Sequence, residues 1–147
     1  MRRKGSSGMI GVLDYGIGNI GSILNMIRKV GAEGRAVTTG DEADGCDKLI
    51  LPGVGAFDVG MALLNQSGMR GPLDRAVAMG KPLLGICLGM QMLGRQSEEG
   101  PGTGLEYIPF DLKRFRLQDQ PGLKTPHMGW DYVTVSQPGA PFVRGLE

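Results

Sequence analysis

No apolar run in this 147-residue chain approaches the ~20 residues that a membrane-spanning helix needs, so no membrane partner is expected. The basic opening Met1-Arg2-Arg3-Lys4 is not followed by a signal-peptide core before Asp14, which points to a cytoplasmic protein. Cysteine is equally scarce. Cys46 and Cys87 are far apart and in different contexts, which excludes a disulfide framework and a metal-knuckle spacing and suits a reducing compartment. Charge of one sign is also missing. Sixteen Lys and Arg stand against 15 Asp and Glu, interspersed, for a net charge of +1, so neither a nucleic-acid footprint nor a surface for acidic partners is written into the balance. Histidine is reduced to His127 alone.

Glycine is abundant, with 26 residues against the ~7% typical of proteins. Its irregular spacing excludes collagen-like and repeat architectures, and its clustering at strand ends implies loops where backbone approaches a ligand. Residues 1–8, with Gly5-Ser6-Ser7-Gly8, read as a flexible leader, and 9–147 read as one domain with enough apolar material for a single core.

Met9 to Tyr15 is a short apolar run closed by Gly16-Ile17-Gly18-Asn19, a buried strand ending in a glycine loop. Ile20, Ile23, Leu24, Ile27 and Val30 then recur at helical spacing, with Gly31 where a C-terminal cap belongs. Arg35 to Thr38 is a weak strand, Asp41 and Glu42 fall in a polar loop, and Lys48 to Leu51 is a stronger strand ending at Pro52-Gly53-Val54-Gly55. Short helices are expected around Met61 and Leu64 and from Leu73 to Met79, the latter opened by Pro72. Pro82 to Ile86 is a further strand and Leu88 to Gln96 a further helix. This alternation predicts an α/β fold with a doubly wound, mostly parallel sheet and helices on both faces. Tyr107 to Phe115 and Trp130 to Val135 alternate as antiparallel strands would, with a turn at Pro126 to Gly129, so an antiparallel extension is expected after about residue 105.

Gly85-Ile86-Cys87-Leu88-Gly89 sets a lone thiol where a buried strand meets a helix, the arrangement of a nucleophile elbow. A sharp strand-to-helix turn brings two backbones together, and a Cβ on either flanking residue would collide. The thiol then meets the start of a helix, where unpaired N–H groups favour the reactive anion. The plain alternative is a small buried hydrophobe, the usual fate of a free cysteine. Ligands of open parallel sheets bind at the carboxyl ends of strands, and three segments end there: 16–19, 52–55 and the elbow. A thiol attacking a carbonyl creates an oxyanion, for which the glycine-flanked Val54 N–H and the Leu88 N–H are natural donors, unless 52–55 is merely a turn. The Gly16-Ile17-Gly18 loop also invites a dinucleotide reading, which fails for want of an acid at the end of a clear second strand. His127, the sole imidazole, lies in a proline-bounded turn, where a structural role is commoner than a catalytic one.

Gly85 to Gln91, Pro52 to Gly55 and Pro126-His127-Met128-Gly129-Trp130 together resemble the class I glutamine amidotransferases of flavodoxin-like fold, and within them the glutaminase subunits of imidazole glycerol phosphate synthases. The resemblance implies that Cys87 attacks the carboxamide of L-glutamine, forming a glutamyl thioester and releasing ammonia. It implies further that Val54 and Leu88 offer the oxyanion N–H groups and that Gly53, Gln91 and Glu99 hold the substrate, Glu99 at its α-amino group. Asn19, Met128 and Trp130 correspond to the face that docks on a cyclase subunit in a heterodimer serving histidine biosynthesis. No cofactor or metal is implied. The family carries its catalytic histidine and glutamate in a His-Pro-Glu segment that these 147 residues do not contain, which implies an incomplete chain of little turnover and an uncovered, poorly soluble sheet. Asp131 stands where the family pattern has asparagine. Three further readings stay open: a paralogue feeding surface-sugar synthesis, a non-catalytic partner-binding module, and a cysteine hydrolase that uses His127.

Overall fold

The computed structural model describes residues 8–117, 122, 125, 129–137, 139, 140 and 143. The chain divides into two compact units, Met1–Arg114 and Phe115–Glu147. Residues 1–7 of the leader expected at 1–8, and Pro126, His127 and Met128, lie outside the described residues.

In the first unit the order is β1 (Ile10–Leu13), α1 (Ile20–Lys29), β2 (Gly34–Val37), α2 (Gly40–Asp44), β3 (Lys48–Leu51), α3 (Phe57–Gln66), α4 (Arg70–Ala78), β4 (Leu83–Gly85), α5 (Leu88–Met92), β5 (Gln96–Ser97) and β6 (Asp111–Leu112). Four strands pair in the order β2-β1-β3-β4, every pair parallel. Strand residues alternate between two apolar clusters, as the two-residue period of a strand requires. Leu13, Val37, Leu49 and Leu51 join Phe57, Leu64, Leu73, Leu88 and Met92 from the helices on one face. Val12 and Ile50 join Ile27, with Ile20, Ile23 and Leu24 of α1 packed on the other. A sheet roofed on both faces is the doubly wound architecture expected, and its near-continuous apolar strands follow from that double burial.

Helix α1 starts and stops where the sequence says it does. Asn19 accepts a hydrogen bond from the Ser22 N–H at 3.1 Å, and Gly31, at φ +80°, takes the left-handed turn after the last residues, with Arg28 and Lys29 at the negative end of the dipole. Asp41 and Glu42, expected in a polar loop, instead lie in the helix at 40–44. Thr39 and Glu42 form a reciprocal capping box, in which the Glu42 N–H donates to the Thr39 hydroxyl and the Thr39 N–H to the Glu42 carboxylate, and this stabilises a single turn that lacks apolar periodicity. Backbone and hydroxyl donors of Thr38 and Thr39 hold the Glu42 carboxyl below its usual range.

Two further expectations need correction. Helix α5 ends at Met92, well short of Gln96, because the chain turns at Gly94 beneath Phe110, where a methyl would lie 2.7 Å from the ring; Gln96 and Ser97 then become a strand. Among the described residues, the antiparallel extension is also not formed. Residues 111 and 112 pair with 96 and 97 in parallel, and an isolated bridge, Gln96 to Thr103, is the antiparallel contact in this region. In the second unit, 130–135 form no strand: Trp130, Tyr132 and Val133 are exposed, and their alternation finds no ladder partner among the described residues.

Strand β4 closes the sheet as an edge. Leu84 pairs in register with Ile50, which is 8% exposed, yet Leu84 itself is 38% exposed and Ile86 37%, so among the described residues the face roofed by α1 is less fully covered at this strand.

Candidate active site

The end of β4 shows why the elbow needs its glycines. The Ile86 N–H still donates to the Leu51 carbonyl at 3.0 Å, as a ladder residue does, while the Ile86 carbonyl already accepts from the Gly89 N–H and the Cys87 carbonyl from the Gln91 N–H. Ladder and helix thus overlap within one residue. Cys87 absorbs the whole change of direction at φ +55° and ψ −119°, a conformation that costs a residue with a side chain of order 1–3 kcal/mol. A methyl on Gly85 would lie 2.5 Å from Met90 Cα, and one on Gly89 would overlap the Leu51 carbonyl oxygen. Both glycines are therefore steric necessities of the bend. Cys87 is exposed, not folded inward among aliphatic side chains. Cys46, by contrast, is buried at 3% exposure and donates its S–H to the Glu42 carbonyl at 3.2 Å, as a structural thiol would.

The loop after β3 packs directly on the elbow. A methyl on Gly53 would meet the Gly89 nitrogen and Leu88 Cβ, each at 2.9 Å, so the absence of a side chain at 53 lets the two segments touch. Among the described residues, neither the Val54 N–H nor the Leu88 N–H is given to another backbone group. Both stay available to a ligand. The glycine loop after β1 arrives at the same place: Gly18, at φ +108°, would put a methyl 3.2 Å from the Pro52 ring and 3.6 Å from the Gly53 nitrogen. Close backbone approach accounts for these glycines without any bound phosphate.

The remaining expected site residues fall as follows. Gln91 is half-buried on the first turn of α5. Glu99 reaches across to the start of α3, where its carboxylate accepts the Phe57 N–H at 3.3 Å; Ala56 precedes that helix without a side-chain cap, and Glu99 serves in its place. Its carboxylate is thereby brought two residues beyond Gly55. Asn19 is exposed, with its side chain engaged as the cap of α1. Trp130 is exposed in the second unit, and Met128 and His127 lie outside the described residues.

Two participants were not foreseen. Asp58, in the first turn of α3, accepts the Gly102 N–H at 3.1 Å and lies so close to Gly100 that a methyl there would overlap its carboxylate, which ties the loop carrying Glu99 to α3. Tyr15, 4% exposed at the end of β1, donates its hydroxyl to the Pro52 carbonyl at 2.5 Å and lies 3.6 Å from the Met92 sulfur. Burial pushes the Tyr15 phenol from 10.0 up to about 12. A folded-state value above the unfolded one contributes stability in full below pH 10, and the contribution is lost as pH rises through about 12. Tyr107, raised by burial and by its hydrogen bond to Asp74, acts in the same sense. Denaturation of Tyr15→Phe across this alkaline window should accordingly show a shallower loss of stability than the parent chain.

A parallel, doubly wound sheet whose strand-end loops gather glycines and an exposed cysteine around one bend defines an α/β domain of the cysteine-elbow class. Residues 10–113 match the CobB/CobQ-like glutamine amidotransferase domain family, and the chain belongs to that family. It is 50% identical over 127 residues to imidazole glycerol phosphate synthase subunit HisH 2 of Pseudomonas aeruginosa, covering 86% of this chain and 62% of that protein. It is 46% identical over 129 residues to the subunit HisH 2 of Methanococcus maripaludis, covering 87% of this chain and 63% of the relative. The chain thus spans somewhat under two thirds of the length of these relatives. A crystal structure described as a glutamine amidotransferase shares the fold, with a TM-score of 0.54 at 24% identity over 65% of this chain and 51% of that one. Among the described residues, no helix is long and apolar enough to cross a membrane.

Proposed function

We propose that this chain supplies the nucleophile of a glutaminase that delivers ammonia to a synthase subunit in histidine biosynthesis. The observation that carries the reading is the exposed Cys87 on its strained bend, with the Gly53 backbone packed against Leu88 and Gly89. The relatives' names supply the pathway and the kind of partner. In the reaction, the Cys87 sulfur forms a bond to the carboxamide carbon of L-glutamine, and the carbonyl π electrons move onto oxygen. The Val54 and Leu88 N–H groups stabilise that oxyanion, each donor contributing roughly 2.7–4 kcal/mol in such sites. Collapse of the adduct breaks the carbon–nitrogen bond, and the nitrogen takes the proton that the thiol gave up and leaves as ammonia. Water then cleaves the thioester to glutamate and restores the thiol.

Gly53 gives the substrate room, Gln91 holds it from the first turn of α5, and Glu99 uses the carboxylate oxygen not given to Phe57 to pair with the α-ammonium group. By the resemblance, Asn19, Met128 and Trp130 are the residues that would contact the synthase subunit. Proton transfer is the weak point, because the sequence offers one histidine, His127. Turnover by the 147-residue chain is therefore low, even where the thiol is competent to bond substrate.

Competition tests the reading. L-Glutamine should slow alkylation of Cys87 by iodoacetamide, and L-asparagine, one methylene shorter, should not. Equal protection by both amides, or none by either, contradicts a glutamine site. His127→Ala should leave this protection unchanged, whereas its loss would mark His127 as the partner of the thiol.

A further inference from the structure

We propose that the Tyr15 hydroxyl is a positioning group for the donor loop: by holding the Pro52 carbonyl it fixes the peptide that leads into Gly53 and so keeps the Val54 N–H presented to the adduct formed at Cys87. The proposal rests on the glutaminase reading above and adds a residue to it.

The loop 52–55 is anchored at one end and loose at the other. At its start, the proline ring restricts Pro52 and the Tyr15 hydroxyl binds the Pro52 carbonyl at 2.5 Å. Gly53 is then crowded by that hydroxyl, 3.0 Å from where a methyl would be, and by Leu88 Cβ and the Gly89 nitrogen, each at 2.9 Å. At its far end, Gly55 sits at φ +109° with open space around it. The Val54 side chain, 62% exposed, has little packing to hold it. The peptide that carries the Val54 N–H has glycine on its leading side, which lowers the steric cost of turning it, and one of its orientations supplies a donor. The contact that opposes rotation comes from below, from a phenol that is otherwise wholly in the apolar core. Packing alone does not call for that oxygen, because phenylalanine would fill the same space. A buried hydroxyl spent on the carbonyl of a donor loop is instead what preorganisation of an oxyanion site needs.

Tyr15→Phe in the full 147-residue chain tests this, with two reagents compared on Cys87. The chloromethyl ketone analogue of L-glutamine reacts by addition of the thiolate to its carbonyl, after which the same sulfur displaces chloride from the adjacent methylene while its bond to the carbonyl carbon breaks and the oxyanion returns to a ketone, so the oxyanion stage needs the donors; iodoacetamide reacts by direct displacement of iodide. The variant should lose about 10-fold or more in chloroketone rate while its iodoacetamide rate stays within about 2-fold of the parent. A parent chain that reacts equally with the L and D chloroketones overturns the glutamine reading, and this proposal falls with it. A selective parent chain with an unchanged rate ratio in Tyr15→Phe overturns the positioning role alone. Where the variant does not fold, fluorinated tyrosine keeps ring and hydroxyl but ionises at lower pH. The chloroketone rate should then fall, relative to iodoacetamide, as the fluorine resonance reports loss of the phenol proton at position 15. A ratio flat through that ionisation overturns the proposal.

Discussion

Gly89→Ala should destabilise the domain by about 3 kcal/mol and lower its melting temperature by more than about 10 °C. The new methyl overlaps the Leu51 carbonyl oxygen, a backbone atom at the end of a central strand, so no side-chain rotation relieves it. That carbonyl also accepts the Ile86 N–H, and moving it would break the last rung between β3 and β4. The elbow and the donor loop would separate together. Gly21→Ala is the matching control. Gly21 lies in α1 with no atom nearer than 4.0 Å to the added methyl, so alanine there should stabilise by about 0.5–1 kcal/mol through helix propensity. Chemical denaturation of both variants separates the predictions, and a Gly89→Ala chain as stable as its parent would refute the close approach.

Cys87→Gly should abolish reaction with glutamine analogues and raise stability by about 1 kcal/mol relative to Cys87→Ala. Cysteine at φ +55° and ψ −119° holds a conformation that glycine adopts freely, whereas alanine keeps the same steric conflict as cysteine. A residue that gains stability on losing its side chain is one whose side chain is kept for chemistry. At about 4 °C per kcal/mol, thermal denaturation resolves the difference. Equal stability of the glycine and alanine variants would mean that the bend at 87 is unstrained.

The contrast between what was and was not legible in the sequence follows from the range of the interactions. The β-α-β alternation, α1 with its Gly31 cap, and the glycine bracket of Cys87 are encoded within a few residues, and each stands as expected. The helix at 40–44 was also legible, since Thr39 and Glu42 stand at capping-box spacing, but it has no apolar period to draw attention to it. The short end of α5 was not legible, because the residue that meets Gly94 is Phe110 from a later segment. Alternation at 107–115 and 130–135 misled for a related reason: a strand needs a partner ladder, and period two says nothing of whether one is present. Tyr15 escaped notice because an aromatic residue closing a buried strand reads as core. Its hydroxyl acquires meaning when Pro52, 37 residues away, arrives above it.

The central claim is that the Cys87 sulfur is held out for attack on glutamine while the other thiol of the chain is structural. Treatment of the native chain with the chloromethyl ketone analogue of L-glutamine, followed by intact mass measurement and peptide mapping, tests it most directly. One adduct per chain, on Cys87 and suppressed by L-glutamine, is the predicted result. An adduct on Cys46, or a Cys87 adduct that forms as fast in denatured protein and is indifferent to glutamine, would contradict it.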